Sequence, residues 1–435
     1  MPFIDKMTNT TVIAVLPVGE FDADPIKIEY EAIISTFRQT GTELAIAAPV
    51  ADEESARQSV GELAKKNPDL LLIIPLRGLS AQVIEAAAHA SHVPCLICPV
   101  QGRFALPSSA LAIGALREAK APVELLYAPA DHPDFAERLG SILKVAKAFA
   151  QLGKSRIGIV GGLFPNLVSC RYDPQIVSSR LGITLLQIPF DAIRDSIQTT
   201  AGNTQQLEQL SEEIANSYHV EAADRNVLDG GLRLHQALKR IALEQRLDGF
   251  ATECWSAFPQ ELGMNPCLGF IEDAYTLACE GDMMLCVALL MVRYLTATSS
   301  YVGDLYDLDL GGILSLVHCG APASLATNKE MVVLGKSRLA SERGFETISC
   351  RPRLDQGPVT VFRFYGRECD RLHLATGELI NCEQSPSLTV KVRINGNRWD
   401  FLDQCLGNHY VVTAGDIRRE LKLLSKWLGI TIFET

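Results

Sequence analysis

The amino-acid sequence predicts an α/β protein: two doubly wound, Rossmann- or flavodoxin-like α/β domains followed by a β-rich, antiparallel, barrel-like domain. Three features carry that expectation. Over roughly the first two-thirds of the chain, short apolar runs alternate with longer segments of mixed polarity, the pattern of parallel strands joined by helical crossovers. Beyond Ser299 the apolar runs crowd together, separated by Gly, Asp and Asn turns with little helix between them. A length of 435 residues also exceeds what one hydrophobic core usually supports. The expected domains are residues 1–153, 154–298 and 299–435.

In the first domain, strands are expected from Val12 to Val18, Leu44 to Ala48, Leu70 to Leu76, Cys95 to Val100 and Val123 to Tyr127. Helices are expected near Ile26 to Gln39, Asp52 to Lys66, Ala81 to His89 and Ser108 to Ala119. Asp134 to Leu152 reads as a long connecting helix, after which Arg156 to Gly162 restarts the pattern with a buried strand ending in glycines. Strands from Ile183 to Ile188 and Gly249 to Thr252 follow, separated by helical polar stretches at Ser196 to Val220 and Ala222 to Gln245. The strongly apolar stretch Met283 to Leu295 reads as a helix that leaves directly from Glu280. In the last domain, strands are expected in the runs Tyr301 to Leu308, Ile313 to His318, Met331 to Leu334, Pro358 to Tyr365, Arg371 to Ile380 and Leu388 to Ile394. Asp416 to Leu428 reads as a closing amphipathic helix.

Composition narrows the function classes. With 47% hydrophobic and 21% charged residues the chain reads as a soluble globular protein. A net charge of −11 without clustered Lys and Arg argues against a nucleic-acid partner. Met1 to Lys6 lacks the basic start and apolar run of a secretion signal, and no uncharged apolar stretch approaches the roughly 18 to 20 residues that span a bilayer. The twelve cysteines are scattered, which implies reduced thiols and a cytoplasmic protein. Cys95 and Cys98 form a Cys-x-x-Cys pair, but the prolines at 94 and 99 and the Leu-Ile interior make it a buried strand and not a redox motif.

Four residues in the second half point to chemistry: Glu280 in Cys279-Glu280-Gly281-Asp282, Asp304 in Gly303-Asp304-Leu305, His318 in Val317-His318-Cys319-Gly320 and His409 in Asn408-His409-Tyr410. Two carboxylates with one or two imidazoles suit Mn²⁺ or Mg²⁺ better than a thiolate metal. Each residue alone has an ordinary reading: a helix-start acid, a turn residue, a core histidine and an exposed histidine after a Gly-Asn turn. Glu280, however, is flanked by Cys279, Met283 and Met284, where a carboxylate needs a partner charge.

In order and spacing the set resembles the L-fucose and L-arabinose isomerase family, from about Thr252 to the C-terminus. An acid-Gly-Asp opens a helix, a second acid follows 24 positions later (304 − 280), a His 14 beyond that (318 − 304), and an Asn-His precedes the helix start at Gly415-Asp416. The resemblance implies a metal-dependent aldose–ketose isomerase working on an open-chain sugar through an enediol. Glu280, Asp304 and His409 would be metal ligands, with His318 a fourth ligand or a group just behind them, and Glu280 and Asp304 would combine ligation with proton transfer. It further implies Mn²⁺, with Mg²⁺ and Co²⁺ as alternatives, and a homotrimer or homohexamer in which an N-terminal domain edge closes the neighbour's site. The second acid is Asp, as in fucose-type members, where arabinose-type members have Glu. The chain is much shorter than a fucose isomerase and carries Cys-Gly-Ala-Pro after His318, so the sugar is not carried over: a deoxy or modified hexose, a sulfonated one included, or a pentose.

Glu253 and Trp255 follow a buried strand where an open α/β sheet places its crevice, and with Asn408 they are candidate substrate contacts. The ordinary reading of Glu253 and Trp255 is a loop acid and a core ring. Asn408 is also the natural neighbour to orient His409. Arg351, Arg353 and Arg363 are cations that would favour an acidic substrate if they faced the pocket. Gly161-Gly162 lacks a phosphate-binding pattern and reads as a turn. His89, His92, His132, His219, His235 and His373 have no acidic partner at ligand spacing. Two other functions stay open: a sugar epimerase using the same metal, and a non-catalytic sugar-binding regulator.

Overall fold

The computed structural model describes residues 10–21, 24–201, 204–221, 225–385 and 387–435. The N-terminal residues Met1 to Lys6 and the expected helix start at Ala222 lie outside them. The described residues form two compact units, one comprising those up to Gln151 with Arg419–Gly429, the other Leu152–Arg418 with Ile430–Thr435. No helix among the described residues is long and apolar enough to cross a membrane.

The first unit is a five-stranded parallel sheet of β1 (Val12–Val18), β2 (Glu43–Ile46), β3 (Leu70–Pro75), β4 (Cys95–Ile97) and β5 (Val123–Leu125). Its strand order, β2-β1-β3-β4-β5, is the flavodoxin-like doubly wound arrangement. All six residues of β3 are buried, as expected of a central strand covered on both faces by helices. The closing helix Arg418–Trp427 packs within this unit: Lys426 pairs with Glu124, Arg419 with Glu137 at 2.6 Å, and Trp427 meets Phe149 edge-on. Cys95 and Cys98 are buried, and burial pushes the Cys95 thiol up to about 12.

The second unit opens with β6 (Arg156–Val160), β7 (Thr184–Gln187), β8 (His219–Val220), β9 (Gly249–Thr252) and β10 (Thr276–Ala278). Strands β10-β9-β6-β7 make a parallel sheet. The remaining strands are β11 (Tyr301–Leu308), β12 (Ile313–His318), β13 (Val332–Lys336), β14 (Ile348–Pro352), β15 (Gly357–Tyr365), β16 (Arg371–Glu383), β17 (Leu388–Ile394), β18 (His409–Ala414) and β19 (Thr431–Glu434). The order β15-β18-β11-β12-β17-β16, with a further β15–β16 pairing, closes an antiparallel barrel, and β19 adds in parallel beside β16. The predicted fold class is thus present. One expected barrel strand is placed elsewhere: of the run from Met331 to Leu334, Val332 onward forms β13, which pairs with β14 and β8 in a separate three-stranded sheet.

Helix Met283–Thr296 is buried all round, from Met283 to Leu295. It packs against β9 and β10 of the parallel sheet and against β15 and β18 of the barrel, so no face of it needs to be polar. Its start therefore lies where the parallel sheet and the barrel meet.

His373, in β16, is fully buried between two hydroxyls, with Nδ1 2.8 Å from the Tyr410 Oη and Nε2 3.0 Å from Thr435 Oγ1. Burial lowers its pKa from 6.5 to about 4. Folding thus favours the neutral ring: the contribution is complete above the unfolded value and is lost as pH falls toward 4, by about 2–3 kcal/mol at pH 4.5. His373→Gln is expected to flatten this part of the stability curve. Urea unfolding at pH 7.5 and 4.5 measures it, and equal losses in both proteins would exclude His373 as the source.

Candidate active site

Three strand ends of the parallel sheet build one wall of the site. After β6 the chain turns through Gly161-Gly162, after β9 through Glu253 to Ser256, and after β10 through Cys279 to Asp282. The turns are stitched together: Glu280 N–H donates to Cys254 Sγ (3.3 Å), Gly281 N–H to the Thr252 carbonyl (2.8 Å), and Phe164 N–H to the Glu280 carbonyl (2.9 Å). Glu280 is held at φ 59°, a left-handed conformation that costs a non-glycine residue about 1 kcal/mol or more. Gly281 also has a positive φ, and a Cβ there would sit 1.9 Å from the Gly162 carbonyl oxygen. The acid-Gly-Asp order is thereby explained: glycine lets the backbones close, and its neighbours present a carboxylate on each side.

Asp304 and His409 come from adjacent barrel strands, directly opposite one another in register, with Val317 on the other side of Asp304. Glu280, Asp304 and His409 converge so that one ligand atom from each lies within 4.8 Å of the other two. His409 Nε2 is 3.5 Å from Asp304 Oδ1 and 3.9 Å from Glu280 Oε2. His409 is fully buried, and its Nε2 has no hydrogen-bond partner among the described residues. Its other nitrogen donates to Asp282 Oδ2 at 3.0 Å, which leaves the Nε2 lone pair toward the two carboxylates. A buried, partnerless imidazole nitrogen beside two carboxylate oxygens is a donor set suited to a hard or borderline divalent cation, so the residues fit a metal ion.

The electrostatics agree with that fit. Burial pushes the Glu280 carboxyl up to about 7, His409 opposing and Asp304, Asp282 and Glu253 adding to the rise. Burial would depress His409, but Asp282, then Asp304 and Glu280, bring its pKa above the ordinary value. The carboxylates around His409 thus favour positive charge at this place.

Asp282 lies beneath. Fully buried, it caps helix Met283–Thr296 by accepting from Leu285 N–H (3.0 Å), and its Oδ2 also accepts from Arg363 Nη2 (3.2 Å) and the Cys170 thiol (3.2 Å). Burial alone would raise its pKa, yet Arg363 and His409 hold it well below the usual carboxylate range. Cys170, Asp282 and His409 are themselves close enough for a metal. There, however, a cation would face the Arg363 guanidinium, which bonds both Cys170 and Asp282, so of the two clusters the Glu280 trio is the one better suited to hold an ion.

The other sequence-predicted residues take distinct places. His318 is buried, donates Nδ1–H to the Gly320 carbonyl (3.1 Å) and has its ring centroid 6.4 Å from that of His409; it is outside the three-residue cluster. It also lines a mostly apolar recess with Tyr275, Cys279, Leu289 and Arg293 that none of Glu280, Asp304 or His409 enters. Asn408 donates to Asp304 Oδ1 (2.7 Å), while the expected task of orienting His409 falls to Asp282. Glu253, expected to accept sugar hydroxyls, instead turns its carboxylate onto its own chain. It takes the N–H groups of Trp255, Ser256 and Ala257 and the Ser256 hydroxyl, which fills its acceptor capacity. Trp255 is half-buried against Phe164 (5.4 Å between centroids). Arg363 is buried and paired with Asp282, Arg351 is buried and paired with Glu221 (2.6 Å), and Arg353 is exposed. Sequence reasoning missed Asp282, Arg363 and Cys170 as a unit. Only Asp282 carried a signal, as the helix-opening acid of the Glu-Gly-Asp motif.

No family model matches the chain. It is similar to proteins named sulfoquinovose isomerase. Those from Priestia aryabhattai and Priestia megaterium are each 24% identical over 329 residues, covering 72% of this chain and 72% of theirs. One from Alkalicoccus urumqiensis is 23% identical over 469 positions, covering 100% of this chain and 98% of its own. Among solved structures, a conserved domain protein from Vibrio cholerae covers 62% of this chain and 89% of its own at 14% identity, with a TM-score of 0.20, too low to carry an argument.

Proposed function

We propose that this protein is a divalent-metal-dependent aldose–ketose isomerase acting on a sulfonated aldose. The observation that carries the reading is the convergence of Glu280, Asp304 and the partnerless Nε2 of His409, in a chain similar along its whole length to a sulfoquinovose isomerase. Glu280, Asp304 and His409 would hold the ion, Mn²⁺ as the resemblance implies, with Mg²⁺ and Co²⁺ as alternatives. When bound, the ion would supply positive charge beside the reacting oxygens of the sugar and acidify the O2 hydroxyl.

The remaining work falls to side chains. Isomerisation moves a proton from C2 to C1 and another from O2 to O1 through an enediol, so a group that accepts and returns a proton near neutrality is needed. Glu280, which burial raises to about 7 in the metal-free protein, and its neighbour Asp304, held in place by Asn408, are the carboxylates placed for that task. Asp282 fixes the ring of His409, so that its Nε2 stays turned to the site. The same reading carries a homotrimer or homohexamer, which sedimentation velocity measures directly.

The test is metal removal. Dialysis against a chelator is expected to reduce conversion of sulfoquinovose to below about 1% of its starting rate, and added Mn²⁺ to restore it, with one ion per chain. NMR of the product separates a ketose from an epimer. Undiminished conversion by the metal-free protein would retire the metal, and absence of any ketose product would retire the isomerase.

A further inference from the structure

Resting on the sulfonated-sugar reading, we propose that Arg343 is the specificity residue that grips the anionic end of the substrate, with Trp255 as the platform that aims it. A sulfonate is best met by a guanidinium, whose planar fork of N–H donors matches a three-oxygen anion. Most arginines near the site are spent on the scaffold. Arg363 is tied to Asp282, Cys170 and the His409 carbonyl, Arg351 to Glu221, and Arg293 to the Asp273 carbonyl.

Arg343 differs in each respect. It is exposed, and among the described residues no carboxylate pairs with it. Its guanidinium carbon lies 4.0 Å from the Trp255 ring centroid and 5.2 Å from that of Phe345, while one Nη2–H donates to the Trp255 carbonyl. Stacking plus that single bond fixes the plane of the fork and leaves its other N–H groups for a ligand, which lowers the ordering cost of binding.

The position also suits the far end of a hexose. Trp255 directly follows Cys254, whose Sγ accepts the Glu280 N–H, and its ring packs on Phe164, whose N–H is bonded to the Glu280 carbonyl. Arg343 is therefore one side chain removed from the turn that carries the proposed acid–base group. An open six-carbon chain of bonds of about 1.5 Å spans roughly 6–8 Å to a C6 substituent. With its carbonyl end at Glu280 and Asp304, such a sugar can present its anion along the Trp255 side of the site. The platform accounts for a half-buried tryptophan beside this turn, because its ring carries a cation as well as the apolar contact with Phe164.

The experiment compares wild type, Arg343→Gln and Arg343→Lys in steady-state conversion of sulfoquinovose and in calorimetric binding of sulfoquinovose to the chelated proteins. Arg343→Gln is expected to raise KM about 100-fold with kcat within about threefold, and to weaken binding equally, as for loss of a charge-assisted contact. Arg343→Lys is expected to recover roughly tenfold of that loss, keeping the charge without the fork. Unchanged KM and binding in Arg343→Gln, with wild type active, would overturn the role of Arg343 and leave the isomerase intact. A fall in kcat alone would also overturn it, since a scaffold residue would behave that way. Wild-type protein that neither binds nor converts sulfoquinovose would overturn both the substrate reading and this inference.

Discussion

Glu280→Gln is expected to lower kcat for aldose–ketose conversion by about 10³- to 10⁴-fold while leaving the protein folded, the effect of deleting a general acid–base group. The substitution keeps the volume of the side chain and the left-handed backbone at this position, so the bonds that stitch the turn to Cys254, Thr252 and Phe164 are untouched. What it removes is the charge and the ability to take a proton. Burial and the nearby carboxylates bring the Glu280 pKa to about 7, and an amide has no such affinity. KM should change less than kcat, because the contact is needed mainly as the proton moves. Circular dichroism and urea unfolding establish that the fold persists, and rapid-quench turnover measures the loss. An active, folded Glu280→Gln would remove Glu280 from the chemistry and leave it, at most, a metal ligand.

How much of this was legible in the sequence depends on how local the cause is. Strands β1 and β3 are continuous apolar runs, and their positions follow from the chain itself. The three-residue β10 is too short to give a pattern, although it positions Glu280. Residues Gly407 and Asn408 suggested a turn around His409, whereas His409 is the first residue of β18 and fully buried, because pairing with β11 decides its environment. The resemblance in order and spacing to a known isomerase family singles out Glu280, Asp304, His318 and His409, and the structure brings all but His318 into one cluster. The bond from Arg363 to Asp282 joins residues 81 apart, and that from Cys170 to Asp282 joins residues 112 apart, so no spacing reveals them. Glu253 shows the reverse case. Its carboxylate is consumed within four residues of its own chain, a local capping arrangement concealed by a side chain whose type also suits a sugar site.

Asp282 is where stability and chemistry are joined, and two substitutions there should separate them. Asp282→Ala leaves the Arg363 guanidinium, 1% exposed, without its counter-charge and removes the cap of the buried helix Met283–Thr296. A loss of about 3–5 kcal/mol is expected from breaking such a buried pair. Asp282→Asn keeps the shape and, with its single carbonyl oxygen on the Leu285 N–H side, the helix cap, so more of the fold should survive, while its NH2 group then faces His409 Nδ1 and Arg363 in place of an acceptor. The amide lacks the charge that makes His409 a stronger base and locks its Nδ1–H, and Mn²⁺ affinity is expected to fall about 10- to 100-fold. Guanidinium unfolding of the chelated proteins reads the first effect, and Mn²⁺ titration calorimetry of the Asn variant reads the second. Equal Mn²⁺ affinity in wild type and Asp282→Asn would mean that His409 is oriented without Asp282, and that the carboxylate serves only to neutralise Arg363. A lower affinity in a variant that remains folded would instead assign this buried carboxylate two separable tasks, holding helix and barrel together and presenting the one nitrogen the ion needs.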